Sequence, residues 1–148
     1  MTAPISIVVP GEPVAKGRPR LAVLGGHARA FTPAKTRSYE AEIRQYAADA
    51  MGERPPMSCA VTVTVRAYMA IPKSMAKKHR PAALAGDLRP TKRPDGDNFL
   101  KALCDACNGV VFTDDALAVT MTVEKLFSDR PRLEAEIAPH RLPIEAAA

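Results

Sequence analysis

The sequence lacks tryptophan, has only three cysteines, and contains only 5% aromatic residues. Three is an odd number of cysteines, which argues against the disulfide framework of small secreted domains and favours a reducing compartment. No run approaches the roughly 18 apolar residues that span a membrane, and the first residues have neither the basic nor the apolar region of a signal peptide. We therefore expect a cytoplasmic protein that does not contact a membrane.

The length and composition of the chain predict one hydrophobic core. Of the 148 residues, 47% are hydrophobic, and few of these are aromatic. A chain of this size builds a single core of ordinary size. We expect one domain over residues 1–148, with its core between about residues 5 and 137 and a flexible tail over residues 138–148.

The spacing of apolar residues in the first third of the chain predicts a strand and a long helix. The strand covers Ile5–Val9, and a glycine- and proline-rich loop follows over residues 16–26. Thr32-Pro33 is a favourable helix start, and Gly52 is a favourable helix end. The predicted inward face of this helix consists of Tyr39, Ile43, Tyr46, Ala47 and Ala50.

The rest of the chain predicts a small mixed sheet and a second principal helix. Alternation from Cys59 to Tyr68 indicates a half-buried strand, and a long basic loop follows it. The helix covers residues 97–108 and leads into a short strand. Two more alternating strands are predicted to form a hairpin. The last three predicted strands cover residues 110–112, 119–123 and 133–137. The whole chain therefore predicts a fold of mixed α/β content, of the α+β type.

Positive and negative charges are segregated along the chain. The net charge is +5, but residues 1–37 carry +5 and residues 66–94 carry +7, whereas residues 95–117 carry −4. Basic segments beside a compact acidic one are expected of a surface that holds a polyanion near an acidic reaction centre. The alternative is that the basic segments are solvated loops without a partner.

Four aspartates stand at the two ends of the second predicted helix. Asp95 and Asp97 flank its start, and Asp114 and Asp115 follow it across the short strand. If that strand runs back along the helix, three carboxylates come together. Crowded carboxylates stay ionised only beside a cation, and Mg²⁺ prefers such hard oxygen ligands. A bound Mg²⁺ can activate water for phosphodiester hydrolysis. Lys101, one helical turn after Asp97, can either stabilise the charge that develops on phosphorus or orient the attacking water.

Each of these residues also has a structural explanation without catalysis. Asp97 is a suitable N-cap, Asp114 and its neighbour suit a turn, and Lys101 can pair with Asp97 or Asp105 four residues away. On this alternative the protein is a basic nucleic-acid-binding module that cuts nothing.

Three other kinds of site are disfavoured. A phosphotransferase of the haloacid-dehalogenase type carries its Asp-x-Asp loop after a buried strand, whereas Lys92-Arg93-Pro94 precedes the aspartates here. Cys104-x-x-Cys107 lies late in a helix on its apolar face, which does not suit a redox motif. A zinc site would need these cysteines together with residues whose scattered spacing resembles no zinc finger or ribbon, namely Cys59, His27, His79 or His140.

Residues 92–115 resemble the signature of a known family. This segment reads Lys92-Arg-Pro-Asp-Gly-Asp-Asn-Phe-Leu-Lys-Ala-Leu-Cys-Asp-Ala-Cys-Asn-Gly-Val-Val-Phe-Thr-Asp-Asp115. It is similar to the basic-Pro-Asp-x-Asp-Asn-Leu-x-Lys helix of the RusA family, which ends in Asn-Gly and precedes paired aspartates. Roughly residues 5–137 also resemble the phage-type branch of that family. The matching features are Lys16-Gly-Arg-Pro-Arg20, the Thr-Pro before the first helix, Ile71-Pro-Lys73 and the strand ending near Lys125.

The resemblance implies an intertwined homodimer that resolves four-way (Holliday) junctions in DNA by paired symmetric nicks, in recombination and repair. It implies Mg²⁺ as cofactor, with Mn²⁺ as a substitute, and no small-molecule substrate. By position it implies Asp95, Asp97, Asp115 and Lys101 as catalytic residues, with the same aspartates and, more weakly, Asp114 as metal ligands. The basic segments supply the candidates for DNA binding: Lys16, Arg18, Arg20, Lys73, Lys77, Lys78, Lys92 and Arg93.

Two positions depart from the family pattern. Gly96 stands where the family usually has a branched apolar residue, and Cys107 stands at a position that is usually leucine-like. A glycine between the two aspartates is expected to make their loop more flexible and metal binding less rigid.

Overall fold

The fold combines a four-stranded mixed sheet, a separate two-stranded hairpin and three α-helices over the residues that a computed structural model describes, 3–17, 20–31 and 33–141. This confirms the predicted α+β class. The two longer helices are α1 and α3, and short 3₁₀ turns cover Lys77–His79 and Asp115–Leu117. The elements are β1 Ile5–Pro10, β2 Arg20–Leu24, β3 His27–Phe31, α1 Ala34–Met51, β4 Val61–Ala70, α2 Arg80–Ala85, α3 Gly96–Cys107, β5 Ala118–Ser128 and β6 Arg132–Pro139.

The main sheet has the strand order β1-β6-β4-β5, with β4 parallel to β5 and the other neighbours antiparallel. The alternation in β4 is confirmed, because Val61, Val63 and Val65 are completely buried. Helices α1 and α3 pack against each other and on one face of this sheet. The core therefore lies between the two long helices and the sheet.

The predicted hairpin between the last two strands is wrong, because β4 lies between β5 and β6. Strand β4 has a neighbouring strand on each side, whereas β5 is an edge strand whose first half is largely exposed. Val119 and Met121, predicted to share a face with Val123, are 57% and 53% exposed. The turn at residues 129–131 marks a chain reversal but does not determine which strands become neighbours.

Helix α1 begins and ends close to the predicted positions, but its inward face is narrower than predicted. Tyr39, Ile43 and Ala47 are buried at a spacing of four residues, whereas Tyr46 and Ala50 face outward. Helix α3 buries Phe99, Leu103, Cys104 and Cys107, and the two cysteines among them were predicted to lie on its apolar face. The proposed capping residue Thr32 lies outside the described residues.

Three segments predicted to be irregular or extended have a different structure. The loop over residues 16–26 contains β2, which pairs with β3 across the turn Gly25-Gly26, where both residues have positive φ. The basic loop contains the short helix α2. Residues 110–112 form a turn with isolated bridges at Phe112 in place of a strand.

At its C-terminal end the described chain remains regular beyond the predicted core. Strand β6 pairs with β4 as far as Pro139, two residues past the predicted core boundary at residue 137. Residues 142–148 lie outside the described residues. Within the described ranges, no helix is both long and apolar enough to cross a membrane.

Candidate active site

Asp95 and Asp97 stand at the beginning of α3 with unpartnered carboxylates. Asp95 occupies the N-cap position with extended backbone angles, but its side chain makes no capping hydrogen bond. Asp97 lies in the first turn and is therefore not the N-cap. Both residues are exposed, and neither carboxylate has a hydrogen bond or ion pair with a described residue. The positive end of the helix dipole favours negative charge here. Because neither carboxylate has a partner, both are available as ligands.

Lys101 follows Asp97 by one helical turn. Its ammonium does not pair with Asp97; its Nζ lies 3.9 Å from Oδ2 of Asp105, one turn further along α3. The Lys101 side chain is 62% exposed, so this contact holds it only weakly. Lys101 therefore keeps the freedom to reach a phosphate beside the aspartates.

Asp114 and Asp115 form a second pair of carboxylates at the 3₁₀ turn before β5. Oδ1 of Asp114 accepts a long 3.4 Å hydrogen bond from the N–H of Ala116, which makes Asp114 the cap of this turn. The pKa of Asp115 is raised, chiefly by its hydrogen bond with Asp114, then by partial burial and the nearby charges of Asp114 and Asp105, while Lys101 opposes the shift. Asp115 therefore lies beside the second half of α3.

The two pairs of aspartates do not converge in this structure. Residues 110–112 turn back on the end of α3 through hydrogen bonds such as that from the N–H of Gly109 to the carbonyl of Phe112, so they do not run along the helix. Asp97 and Asp105 are about 12 Å apart along the helix axis, at 1.5 Å per residue. Within the described ranges no group of three or more His, Cys, Asp or Glu side chains could hold a metal ion as it stands.

Five of the predicted DNA-binding residues present exposed cationic side chains. None of the five has a carboxylate partner among the described residues, so their charges are available to phosphates. Arg18 lies outside the described residues, and the side chain of Arg20 is likewise not described. The five residues are Lys73, Lys77 and Lys78 around the first 3₁₀ turn, and Lys92 and Arg93 immediately before Asp95.

Lys16, one of the predicted DNA contacts, has two carboxylate partners in the structure. Its Nζ lies 2.6 Å from Oε1 of Glu40 and 3.1 Å from Oδ2 of Asp105, and its side chain is only 15% exposed. Burial acts to lower the pKa of Lys16, but the two carboxylates outweigh it and the pKa is raised. Its backbone N–H also donates to the carbonyl of Asn98. Lys16 therefore joins α1 to α3.

Gly17, the next residue in this motif, allows the chain to pass close to α1. Its N–H donates to Oγ1 of Thr36 at 3.0 Å. A Cβ on Gly17 would lie 3.0 Å from that oxygen and 3.1 Å from Cγ of Pro33, closer than ordinary contacts. The Lys16-Gly17 pair that resembles the family thus has a structural role, which is to fix this segment against the helices.

The loop that carries Asp95 is fastened to β5 by a residue that sequence reasoning placed only at the end of a strand. We call residues 86–95 the aspartate loop. Nζ of Lys125 donates hydrogen bonds of 2.8 Å to the carbonyl oxygens of both Lys92 and Pro94. Arg89 pairs with Glu124 at 2.9 Å. The only sequence signal for these contacts is that Glu124 and Lys125 are charged residues in a strand that consists mostly of apolar and threonine residues.

The aspartate loop separates two surface grooves. A groove of about 470 Å³ on one side is lined by residues that include Met69, Leu88, Phe127 and Lys125. A groove of about 550 Å³ on the other side is lined by Asp95 and by residues 15–17. Arg93 and Pro94 line both. A bound strand can therefore approach the aspartate loop from either side.

Cys104 and Cys107 are core residues, as predicted. Burial raises the pKa of the Cys104 thiol to about 11 and that of Cys107 to about 12, so both are neutral thiols at neutral pH. All three cysteines are free, and Cys59 is exposed. A neutral buried thiol is a poor nucleophile, which agrees with the expectation that Cys104 and Cys107 do not form a redox motif.

The environment of Asp95 also agrees with the rejection of a dehalogenase-type nucleophile. The aspartate loop connects α2 to α3, so Asp95 follows an irregular segment and not a buried strand.

Comparison with known proteins gives two matches over nearly the whole chain. The sequence model of the family described as endodeoxyribonuclease RusA matches residues 10–138. The uncharacterized protein YqaN of Bacillus subtilis (strain 168) is 37% identical over 138 residues, which cover 90% of this chain and 94% of that protein. The family match includes both pairs of aspartates, Lys101 and the basic segment before Asp95. This chain therefore belongs to the RusA endodeoxyribonuclease family.

Proposed function

We propose that this protein is a metal-dependent endonuclease that resolves four-way DNA junctions by paired symmetric nicks. The observation that carries the proposal is the juxtaposition of two unpartnered carboxylates, Asp95 and Asp97, with two unpartnered cations, Lys92 and Arg93, in a chain of an endodeoxyribonuclease family. Cations beside an acidic centre attract the phosphate backbone, while the carboxylates hold the ion that activates water. It would act in the bacterial cytoplasm, on bacterial or phage DNA.

The proposed metal ligands are Asp95, Asp97 and Asp115, with Asp114 as a weaker candidate. Their donor atoms are hard carboxylate oxygens, which suit Mg²⁺ and its substitute Mn²⁺. Mg²⁺ commonly uses one or two carboxylates together with waters and substrate phosphates, so the ligand set does not require three converged carboxylates before DNA binds. When bound, such an ion polarises the phosphoryl oxygens and lowers the pKa of a bound water.

Lys101 is the proposed catalytic cation. It extends from α3 one turn beyond Asp97 and carries no strong ion pair. A cation at this place stabilises the extra negative charge that develops on the phosphoryl oxygens as the water attacks. Lys101 thus serves the transition state, whereas Asp95 and Asp97 bind the ion and position it.

The candidates for DNA binding are basic residues that precede the aspartates in the chain. We propose Lys73, Lys77, Lys78, Lys92 and Arg93 as phosphate contacts, together with Arg18 and Arg20. We assign Lys16 to the joint between α1 and α3 instead, because its charge is already neutralised by two carboxylates. Phosphate contacts of this kind position the duplex arms but do not read their sequence.

Paired symmetric nicks require two active sites, and we propose that a homodimer provides them. Two surfaces could receive a second copy. Strand β5 is an edge strand with Val119 and Met121 exposed, and the β2–β3 hairpin exposes Leu21 and Val23 at 79% and 75%. Edge strands with exposed apolar side chains favour pairing with another chain. The β5 edge is the stronger candidate because it is continuous with the main sheet.

The proposal is tested by titrating Mg²⁺ into a labelled synthetic four-way junction with the wild-type protein and Asp97→Asn. We expect nicking of the junction that depends on Mg²⁺, with little cutting of linear duplex, and loss of nicking in Asp97→Asn with junction binding retained or tightened. Asp87→Asn is the matched control, because it removes an exposed carboxylate of the aspartate loop that is not a proposed ligand.

One result would reverse the proposal. Binding of the junction without nicks at any concentration of Mg²⁺ or Mn²⁺ would identify a non-catalytic DNA-binding module, in which the aspartates serve only as cap and turn residues.

A further inference from the structure

We infer that Lys125 is a positioning residue that holds the aspartate loop in the conformation that presents Asp95 and Asp97 to the metal ion. The inference rests on the proposed function, since that proposal names the two aspartates as ligands. It concerns a residue that touches neither the substrate nor the ion and acts only through the backbone of the loop.

The geometry of the Lys125 contact determines where Asp95 lies. The carbonyl of Pro94 belongs to the peptide unit that leads into Asp95, and the carbonyl of Lys92 lies two residues earlier. Nζ of Lys125 donates to both at 2.8 Å. Because a peptide unit is planar, fixing the Pro94 carbonyl also fixes the plane from which the Asp95 Cα emerges.

These two bonds are the main restraint on this part of the loop. Among the described residues, positions 90–94 take part in no other hydrogen bond. The Arg89–Glu124 pair ties the loop at its earlier end, and α3 begins after Asp95. Between those two points only Lys125 connects the loop to the sheet by hydrogen bonds.

The chemistry of the contact suits a restraint. Lys125 is partly buried and has no carboxylate partner among the described residues, so its ammonium is bound by the two carbonyl oxygens. Hydrogen bonds from a charged donor are roughly twice as strong as neutral ones. Without the ammonium, the carbonyl oxygens of Lys92 and Pro94 would accept hydrogen bonds from water instead of from β5.

The lysine stem supports the same region by packing. A Cβ built on Gly96 would lie 3.5 Å from Cγ1 of Val123 and 3.8 Å from Cδ of Lys125. The glycine between the two aspartates therefore rests on β5 and does not face open space. This support counteracts the flexibility that Gly96 was expected to introduce.

Four variants separate a positioning role from the alternatives. Lys125→Met removes the donors but keeps the apolar stem, and Lys125→Arg keeps a charged donor that can reach two carbonyls. If Lys125→Met does not fold, Lys125→Gln takes its place in the measurements. The control for loss of one positive charge is Lys35→Met, an exposed position in α1 outside the proposed site.

Three measurements are made on each folded variant: the Mg²⁺ concentration for half-maximal nicking, Mg²⁺ binding without DNA by calorimetry, and amide hydrogen exchange over residues 91–98. We expect Lys125→Met to weaken Mg²⁺ affinity in both metal measurements by about 10-fold to 100-fold, the usual effect of losing an outer-shell partner. Its loop amides should exchange faster, and Lys125→Arg should restore most of both properties. Lys35→Met should match the wild type.

Two results would overturn the inference. If Lys125→Met keeps wild-type Mg²⁺ affinity and wild-type amide exchange, Lys125 does not position the loop. If instead Lys125→Met lowers the salt dependence of junction binding by the equivalent of one phosphate, about 0.9 in the logarithmic slope, with Mg²⁺ affinity unchanged, Lys125 is a DNA contact. A wild-type protein that binds no Mg²⁺ and cuts no DNA would refute the proposed function, and the exchange measurement would still decide whether Lys125 orders the loop.

Discussion

The ammonium of Lys16 lies 3.1 Å from the carboxylate of Asp105, on the helix that carries the candidate active site. The same ammonium binds Glu40 of α1, so one cation compensates a carboxylate on each of the two long helices. Asp105 also contributes to the raised pKa of Asp115. A residue expected to contact DNA is therefore part of the scaffold that supports the site.

This arrangement predicts that Lys16→Met destabilises the fold without weakening DNA binding. Removal of the ammonium leaves Glu40 without its partner and Asp105 with only the 3.9 Å contact of Lys101. This should lower the free energy of unfolding by about 1–3 kcal/mol. Denaturant unfolding and junction affinity without divalent metal are the measurements. Lys77→Met, in an exposed 3₁₀ turn, should weaken junction binding and leave the free energy of unfolding unchanged. A Lys16→Met protein of normal stability and reduced affinity would return Lys16 to the DNA-binding surface.

The basic segments predict a steep salt dependence of junction binding. A protein that contacts 6–10 phosphates loses roughly 10³ to 10⁵ in affinity between about 50 and 200 mM salt. Replacing Lys77 and Lys78 by glutamine should reduce the logarithmic slope by about 1.8, or about 0.9 for each lost phosphate contact. Fluorescence anisotropy over a salt series measures the slope. Affinity that hardly varies with salt, or a double variant with an unchanged slope, would contradict the role assigned to these lysines.

The neighbours of Asp115 predict how cleavage depends on pH. Asp115 must be ionised to bind a cation, and Asp114 raises the pKa of Asp115. As the pH falls, metal binding should therefore be lost at a higher pH than it would be with a neutral residue at position 114. In Asp114→Asn the pKa of Asp115 falls, and the acidic limb of the pH–rate profile should shift to lower pH. Single-turnover cleavage at saturating Mg²⁺ gives both profiles. Loss of activity at every pH would show instead that Asp114 is itself a ligand.

The exposed edge of β5 predicts the position of the interface in the proposed homodimer. Met121→Lys places a charge on this edge and should convert the dimer to a monomer. Val8→Lys makes the same kind of change on β1, the other edge strand of the sheet, at a residue of similar exposure, and should leave the dimer intact. Sedimentation equilibrium distinguishes the two states. If Met121→Lys remains a dimer, the β5 edge is not the interface, and the β2–β3 hairpin is the other candidate.

Local sequence patterns predicted the two long helices well, for physical reasons. The start of α3 follows from Pro94-Asp95, and its buried face follows from the spacing of Phe99, Leu103 and Cys107. The alternation of valines in β4 likewise predicts a strand with one buried face. These features depend on neighbouring residues alone, so the sequence contains the information needed to predict them.

Features that depend on distant residues were missed or misjudged. The turn after β5 gives no sign that β4 separates β5 from β6, because strand order is set by the packing of the whole sheet. The charge of Lys16 suggested DNA until Glu40 and Asp105 were placed beside it. The contact of Lys125 with the aspartate loop spans more than 30 residues of sequence. The family resemblance supplied the expected junction substrate, which local patterns could not provide.

The most direct test of the central claim maps every nick on a synthetic four-way junction with Mg²⁺, for the wild type and for Asp97→Asn. We predict nicks at symmetrically related positions on two opposing strands, each leaving a ligatable break, and none with Asp97→Asn at wild-type junction affinity or tighter. Near-normal nicking by Asp97→Asn would contradict the assigned site. Nicks scattered over all strands and over linear duplex alike would contradict junction resolution.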